Sequence, residues 1–145
     1  FGGGIGTHAL ANAMSSKTEH VFFVDINQTN RKFVEFRAKK LGIENKLTFC
    51  KTIKEAQIKK FDTIICLDVL EHLADPSFQI NIFYEIMDCN SIALFNWYFY
   101  KGEKNEYPFH IDDSQIVERF FMTLQSKFLE LFHPILITTR AYKKI

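Results

Sequence analysis

The chain begins with Phe1-Gly2-Gly3-Gly4-Ile5-Gly6-Thr7, a glycine-rich turn that leads into an apolar helical stretch, and Val21-Phe22-Phe23-Val24-Asp25 follows about one helix and one loop later. Glycines adopt positive φ and let the backbone approach a ligand closely, and the free N–H groups of the next helix point toward that ligand. An acid that ends the second strand can accept hydrogen bonds from a ribose. Together the two segments predict a nucleotide-type cofactor site.

The spacing of the glycines bears on which nucleotide is bound. In the dinucleotide fingerprint G-x-G-x-x-G, glycines at 2 and 4 require a third at position 7. Position 7 is Thr7, and the glycines fall at Gly2, Gly4 and Gly6 instead. This spacing disfavours NAD as the cofactor.

Composition sets the class of protein. The chain has 145 residues, of which 47% are hydrophobic and 24% charged, so a single domain over residues 1–145 is expected. A net charge of +1 without a long basic run predicts that nucleic acid is not a partner. Three widely spaced cysteines without a C-x-x-C pair predict neither disulfides nor a zinc site, and no metal is expected. No apolar run reaches the roughly 18 to 20 residues that span a bilayer, so a cytoplasmic protein is predicted.

Strands and helices are predicted to alternate along the chain. Buried strands are expected at 21–25 and 61–67, each ending at an acid, and further strands at 46–50 and 91–97. Helices are expected at 7–14, from about Thr29 to Gly42, after Asp75-Pro76, and after Asp112-Asp113-Ser114-Gln115, which is similar to a capping box.

Each of the last three helices has a predicted buried face. The second helix should bury Phe33, Phe36 or Val34, and Leu41; the third should bury Phe78, Ile82, Phe83 and Ile86; the last should bury Ile116, Val117, Phe120, Phe121 and Leu124.

Two strands, 127–132 and 135–142, are predicted to follow the last helix. Only His133-Pro134 joins them, and so short a connection requires an antiparallel hairpin. The expected fold is therefore α/β, a mostly parallel sheet with helices on both faces and an antiparallel hairpin at its end. Because the chain starts at Phe1 and a glycine turn needs a strand in front of it, the first strand is expected to be missing.

The segment Phe61-Asp62-Thr63-Ile64-Ile65-Cys66-Leu67-Asp68-Val69-Leu70-Glu71-His72-Leu73, with the glycine turn and Asp25, resembles class I S-adenosylmethionine-dependent methyltransferases. The D-V-L-E-H part is similar to the small-molecule enzymes related to quinone biosynthesis. The resemblance implies a doubly wound, Rossmann-like sheet of the seven-stranded type and S-adenosylmethionine as the cofactor. It covers the chain from residue 1 to the terminal hairpin.

The resemblance also implies roles for individual residues. It places the methionine part of the cofactor on Gly2, Gly4 and Gly6, the ribose hydroxyls on Asp25 with Ile26 beside it, and Leu67 and Asp68 next to the cofactor. The acid that usually fixes the amino group of the cofactor would lie two residues before the first glycine, outside the chain. The acid that often lies near the adenine is replaced by the run Phe49-Cys50-Lys51-Thr52-Ile53, so backbone groups or Thr52 are expected to contact the adenine.

Two histidines are candidate catalytic residues. His72 could accept a proton from a hydroxyl or amine at neutral pH, and the alternative is a packing histidine. His110 lies at the end of an aromatic segment, residues 95–110, whose rings either line an acceptor pocket or continue the core.

Three functions are consistent with the sequence. The first is methyl transfer to oxygen, nitrogen or carbon of a small-molecule acceptor. The second is a scaffold or binding domain, without catalysis, in a larger protein. The third is a nicotinamide oxidoreductase.

Overall fold

The computed structural model describes residues 1–57, 60–133, 135–136 and 138–145. Within it the chain divides into two compact units, Phe1–Ile58 and Lys59–Ile145. They are called unit 1 and unit 2 and are described separately.

The described part of unit 1 contains two α-helices, two short 3-10 turns and a parallel pair of strands. Its elements are α1 (Thr7–Met14), β1 (Val21–Val24), α2 (Gln28–Leu41) and β2 (Leu47–Cys50). The strands pair from Val21 opposite Leu47 to Val24 opposite Cys50, so both strands end at the same edge. Helix α2 connects them, as a parallel pair requires.

The core of unit 1 is built from both helices and both strands. It consists of Leu10, Ala13, Phe23, Val34, Ala38 and Leu47. The predicted face of α2 was therefore right at Val34 and wrong at Phe33, Phe36 and Leu41, which are 46%, 55% and 47% exposed. Val34 and Ala38 are four residues apart and so share one face, whereas Phe33 and Phe36 point away from it. Their rings lie instead near the cations of Arg37 and Lys40 on the same helix.

Local signals set the ends of α2. The Asn27 side chain accepts a hydrogen bond from the Thr29 N–H at 2.8 Å, which caps the first turn. Gly42 ends the helix with a φ of 66°, a left-handed conformation that glycine adopts without strain. The predicted end at Gly42 is confirmed, and the helix begins one residue before Thr29.

Unit 2 is a four-stranded mixed sheet with two helices. Its elements are β3 (Phe61–Cys66), α3 (Pro76–Glu85), β4 (Met87–Phe95), α4 (Ser114–Lys127), β5 (Phe128–Leu131) and β6 (Arg140–Lys144). The strand order is β3-β4-β6-β5. Strands β3 and β4 are parallel, and β6 runs antiparallel to β4 and β5. The predicted α/β class with an antiparallel terminal hairpin is confirmed.

Both helices of unit 2 begin with an aspartate cap. Asp75 accepts from the Phe78 N–H at 2.9 Å, and Pro76 follows it, as predicted. The last helix is capped by Asp113, which accepts from the Gln115 and Ile116 N–H groups, so the cap lies one residue later than a capping box starting at Asp112 would place it.

The apolar faces of these helices differ from prediction at one residue. Phe78 is 62% exposed, and α3 buries Pro76, Ser77, Gln79, Ile80 and Phe83, while Ile82 and Ile86 are half-buried. All five predicted residues of α4 face inward: Phe120 and Leu124 are buried, and Ile116, Val117 and Phe121 are half-buried.

The terminal hairpin has a longer connection than predicted. Strand β6 begins at Arg140, and Ile135, Leu136, Thr138 and Thr139 lie outside it, while Pro134 and Ile137 fall outside the described residues. Ala141 pairs with Leu131 on one side and Leu94 on the other. Ala141 and Tyr142 are both buried, and pairing with β4 on one side and β5 on the other fixes the register of β6.

None of the helices in the described part of the chain combines the length and the apolar character needed to cross a membrane.

Candidate functional site

The glycine turn of unit 1 has a backbone conformation that explains the spacing of its glycines. The φ angles are 65° at Gly2, 52° at Gly4 and 80° at Gly6, all in the left-handed region, where a residue with a Cβ loses roughly 1–2 kcal/mol. The N–H groups of Gly2 and Gly3 both donate to the Val24 carbonyl, at 2.8 and 3.3 Å. These bonds hold the turn against the end of β1.

Two of the glycines are also needed because other side chains approach them. A Cβ on Gly6 would lie 2.6 Å from both methyl groups of Val34, and one on Gly3 would overlap the Phe23 ring. A Cβ on Gly4 would meet no atom of the described chain within 4 Å. Gly4 therefore has open space on the side where a Cβ would project, unlike Gly3 and Gly6.

Asp25 links the glycine turn to the start of α2. Its Oδ2 accepts from the Gly4 N–H at 2.8 Å and from the Asn30 side chain at 3.3 Å. Its Oδ1 accepts from the Asn27 N–H at 2.7 Å. The side chain is only 6% exposed, and the Arg31 guanidinium donates to the Asp25 carbonyl. The carboxylate is thus buried among donors from the glycine turn and from the start of α2.

The other predicted cofactor residues of unit 1 lie at the same edge of the parallel pair. Ile26 follows Asp25 and is 80% exposed, and Thr52 is exposed just beyond the end of β2. After β2 the Glu55 carboxylate accepts from the Lys51 N–H at 2.7 Å. The structure therefore brings Asp25, Ile26 and Thr52 to one edge.

In unit 2, Asp68 is held by a residue that the sequence did not single out. Asp68 has a φ of 53°, which is strained for a non-glycine residue. The Asn96 side chain accepts from the Asp68 N–H and donates to its carboxylate at 2.8 Å. Because β3 and β4 are parallel, Asn96 leaves the sheet beside Asp68; polar residues after neighbouring parallel strands are the signal that could have identified it. Leu67, just before Asp68, is half-buried.

The two candidate catalytic histidines lie together in unit 2. The rings of His72 and His110 are 4.7 Å apart between centroids and nearly perpendicular. Glu71 lies beside them, and one donor atom from each of Glu71, His72 and His110 lies within 4.8 Å of the others. Cysteine spacing had suggested that no metal binds, and this cluster of nitrogen and oxygen donors was not foreseen.

The aromatic segment after β4 divides between two environments. Trp97 and Phe99 pack on α4, with ring centroids 5.1 and 4.9 Å from Phe120. Tyr98 lies 5.7 Å from the His110 ring, and Tyr107 stacks on that ring at 5.0 Å. Alternate residues of an extended segment face opposite sides, so Trp97 and Phe99 continue the apolar packing while Tyr98 lies beside His110. An acceptor pocket at Tyr98 and Tyr107 stays a prediction.

Comparison with known proteins shows which family the chain resembles. Residues 1–90 match the family model described as a methyltransferase domain. No curated protein matches the chain at a significant level.

Three solved structures have similar folds at low sequence identity. The [4+2]-cyclase SpnF has a TM-score of 0.67 and 16% identity, over 90% of this chain and 51% of its own. A SAM-dependent O-methyltransferase from Thermotoga maritima has a TM-score of 0.63 and 14% identity, over 99% and 57%. An rRNA methylase from Streptococcus thermophilus has a TM-score of 0.64 and 14% identity, over 99% and 82%. The chain thus spans about half the length of the cyclase.

The matched region is more than half of the chain, and it includes the glycine turn, Asp25 and the Asp68 segment. The fold is the Rossmann-like one of these neighbours. This chain therefore belongs to the class I methyltransferases, whose cofactor is S-adenosylmethionine.

Proposed function

We propose that this chain binds S-adenosylmethionine (SAM) and transfers its methyl group to a small-molecule acceptor. The observation that carries the proposal is the bond from the Gly4 N–H to the Asp25 carboxylate. It makes the glycine turn and the acid one hydrogen-bonded group, with open space in front of Gly4. Such a group suits a ligand that has both a polar chain and a ribose.

Asp25 has acceptor capacity left for the ribose. An ionised carboxylate offers about four acceptor positions, and described residues fill one on Oδ1 and two on Oδ2. One ribose hydroxyl can take the remaining position on Oδ1. The second ribose hydroxyl can take the position on Oδ2 that the Asn30 side chain fills, because that 3.3 Å hydrogen bond is the longest of the three.

The remaining cofactor contacts are proposed from the resemblance. Gly2, Gly4 and Gly6 hold the methionine part, Ile26 and Thr52 lie near the nucleoside, and Leu67 and Asp68 contact the cofactor. The exposure of Ile26 and Thr52 is consistent with that role.

The acceptor is proposed to contact unit 2 at His72 and His110. Tyr98 and Tyr107 add aromatic surface beside His110, which suits a flat or apolar molecule. A net charge of +1 gives little attraction to a polyanion, and this favours a small molecule over RNA although one neighbour is an rRNA methylase. The three cysteines are free thiols, which is consistent with the reducing cytoplasm.

Calorimetric titration with SAM and S-adenosylhomocysteine tests the cofactor proposal. We expect binding in the micromolar range, weakened about 10- to 150-fold by Asp25→Asn, since hydrogen bonds to a charged group contribute about 1.5–3 kcal/mol. Asp62→Asn, at an exposed acid on β3, is the matched control and should bind as the unchanged chain does.

The scaffold function makes the opposite prediction. If this chain is folded but does not bind SAM, methyl transfer is refuted and a binding role replaces it. Tight binding of NADH in place of SAM would instead support an oxidoreductase.

A further inference from the structure

We propose that Glu71, His72 and His110 bind one divalent transition-metal ion of the zinc class. Each residue offers one donor atom, and these atoms lie within 4.8 Å of one another. All three belong to unit 2. The proposal deepens the proposed function, on which its catalytic consequence rests, while metal binding itself can be measured independently.

The backbone around the cluster fixes the three residues relative to each other. Glu71 and His72 lie in a short 3-10 turn, Leu70–His72, after β3. The Ile111 N–H donates to the Glu71 carbonyl at 2.8 Å, and the His110 N–H donates to the Tyr107 carbonyl at 3.0 Å. The loop that carries His110 is therefore fastened directly to the turn that carries the other two ligands.

Two buried polar atoms of the cluster have no partner among the described residues. They are Oε2 of Glu71 and Nδ1 of His110. The Glu71 side chain is 1% exposed, and the ion pairs found in the described chain do not include it. A buried carboxylate without a cation or donor is strongly unfavourable. A metal ion would supply the missing positive charge and coordinate both kinds of atom.

The donor set indicates which ions fit. Two imidazoles and one carboxylate form three-ligand zinc sites that keep a fourth position open, and the same set suits Fe²⁺, Co²⁺ or Mn²⁺. Nδ1 of His72 lies 3.3 Å from the Phe109 carbonyl. If that nitrogen carries the proton, Nε2 is left free for the metal, an arrangement common for histidine ligands. His72 is exposed, so an ion can enter from solvent.

The open position gives the metal a role in the proposed reaction. An acceptor hydroxyl bound there would lose its proton to water more readily, because a bound cation stabilises the oxyanion. The rings of Tyr98 and Tyr107 beside His110 would contact the rest of the acceptor.

Zinc binding by the full metal-free chain is the test, measured by competition with a chromogenic chelator. All proteins carry Cys89→Ser, because the exposed thiol of Cys89 is a competing zinc ligand. We expect one equivalent of zinc. Glu71→Gln and His110→Asn should weaken binding by more than the roughly 10- to 100-fold that loss of an outer-sphere partner causes. His133→Asn, at an exposed histidine in the hairpin loop, is the matched control and should leave zinc affinity unchanged.

A Co²⁺ absorption spectrum provides a second readout of the same ligands. Bands of a four- or five-coordinate ion should appear and be lost in His110→Asn. His72→Asn, at an exposed position, replaces Glu71→Gln if the latter does not fold. Absence of stoichiometric zinc, or equal affinity in the ligand variants and the control, overturns the proposal.

SAM titration of the same samples separates the two proposals. Zinc binding without SAM binding would keep the metal site and refute methyl transfer. SAM binding without zinc binding would do the reverse.

Discussion

Gly4 and Gly6 have similar backbone angles but different surroundings, so alanine should be tolerated differently at the two positions. Gly4→Ala introduces only a left-handed residue with a Cβ, which costs roughly 1–2 kcal/mol, because nothing in the described chain lies within 4 Å of the new atom. Gly6→Ala has the same backbone cost and also places a Cβ 2.6 Å from two methyl groups. Overpacking a core adds roughly 1–3 kcal/mol. The free energy of unfolding should therefore fall by about 1–2 kcal/mol at Gly4 and about 2–5 kcal/mol at Gly6.

The Val34 methyl groups are the stated cause of the difference, and a double-mutant cycle isolates them. Val34 is fully buried and β-branched, so it cannot turn aside easily. Val34→Ala leaves a cavity by itself, but in the Gly6→Ala background it also removes the clash. The two changes should be less than additive by about 1–3 kcal/mol.

Urea unfolding followed by circular dichroism measures these costs. The midpoint should shift while the slope stays constant, which shows that stability has changed rather than compactness. Equal losses at the two glycines, or additive effects of Gly6→Ala and Val34→Ala, would refute the packing argument. If SAM approaches Gly4, Gly4→Ala should also weaken SAM binding in protein that remains folded.

Two further predictions concern unit 2. Burial raises the pKa of the Cys66 thiol from 9.0 to about 12, so between pH 9 and 12 only the unfolded chain loses this proton. As the pH rises through that range, the thiol should lower the free energy of unfolding by up to about 1.4 kcal/mol per pH unit. The urea midpoint should therefore depend less on pH in Cys66→Ala, whereas Cys89→Ala should keep the original pH dependence. Trp97→Ala should lower the urea midpoint because Trp97 packs on α4. Tyr98→Ala should instead raise the KM for the acceptor and leave the urea midpoint unchanged. If only Trp97→Ala raises the KM for the acceptor, this assignment of the two rings is wrong.

Features of the fold that depend on a few consecutive residues could be predicted from the sequence. Asp75-Pro76 supplies both a cap and a helix-compatible φ, and Gly42 supplies the left-handed residue that ends α2. Alternation of apolar strands and helices predicted the parallel pairs because a parallel connection needs a crossover. These signals act within one or two turns and need no knowledge of distant partners.

Features that depend on distant partners were predicted less well. The buried face of α2 follows from close packing at Val34 and Ala38, and the exposed phenylalanines nearby are more hydrophobic than either. Hydrophobicity alone therefore selected the wrong residues. The start of β6 is likewise set by pairing with two strands at once. Thr138 and Thr139 just before it are β-branched, but no strand of the described chain pairs with them.

The candidate site shows the same division between local and distant causes. The glycine turn and Asp25 are 21 positions apart at the Gly4 bond, but only α1 and β1 lie between them, so the sequence identified both. Glu71 and His72 lie beside His110 only because the chain after β4 folds back toward them, where the Ile111 N–H donates a hydrogen bond to the Glu71 carbonyl. That return places His110 beside a carboxylate that is buried without a described partner. The contacts of Glu71 are thereby the strongest argument that unit 2 binds a cation.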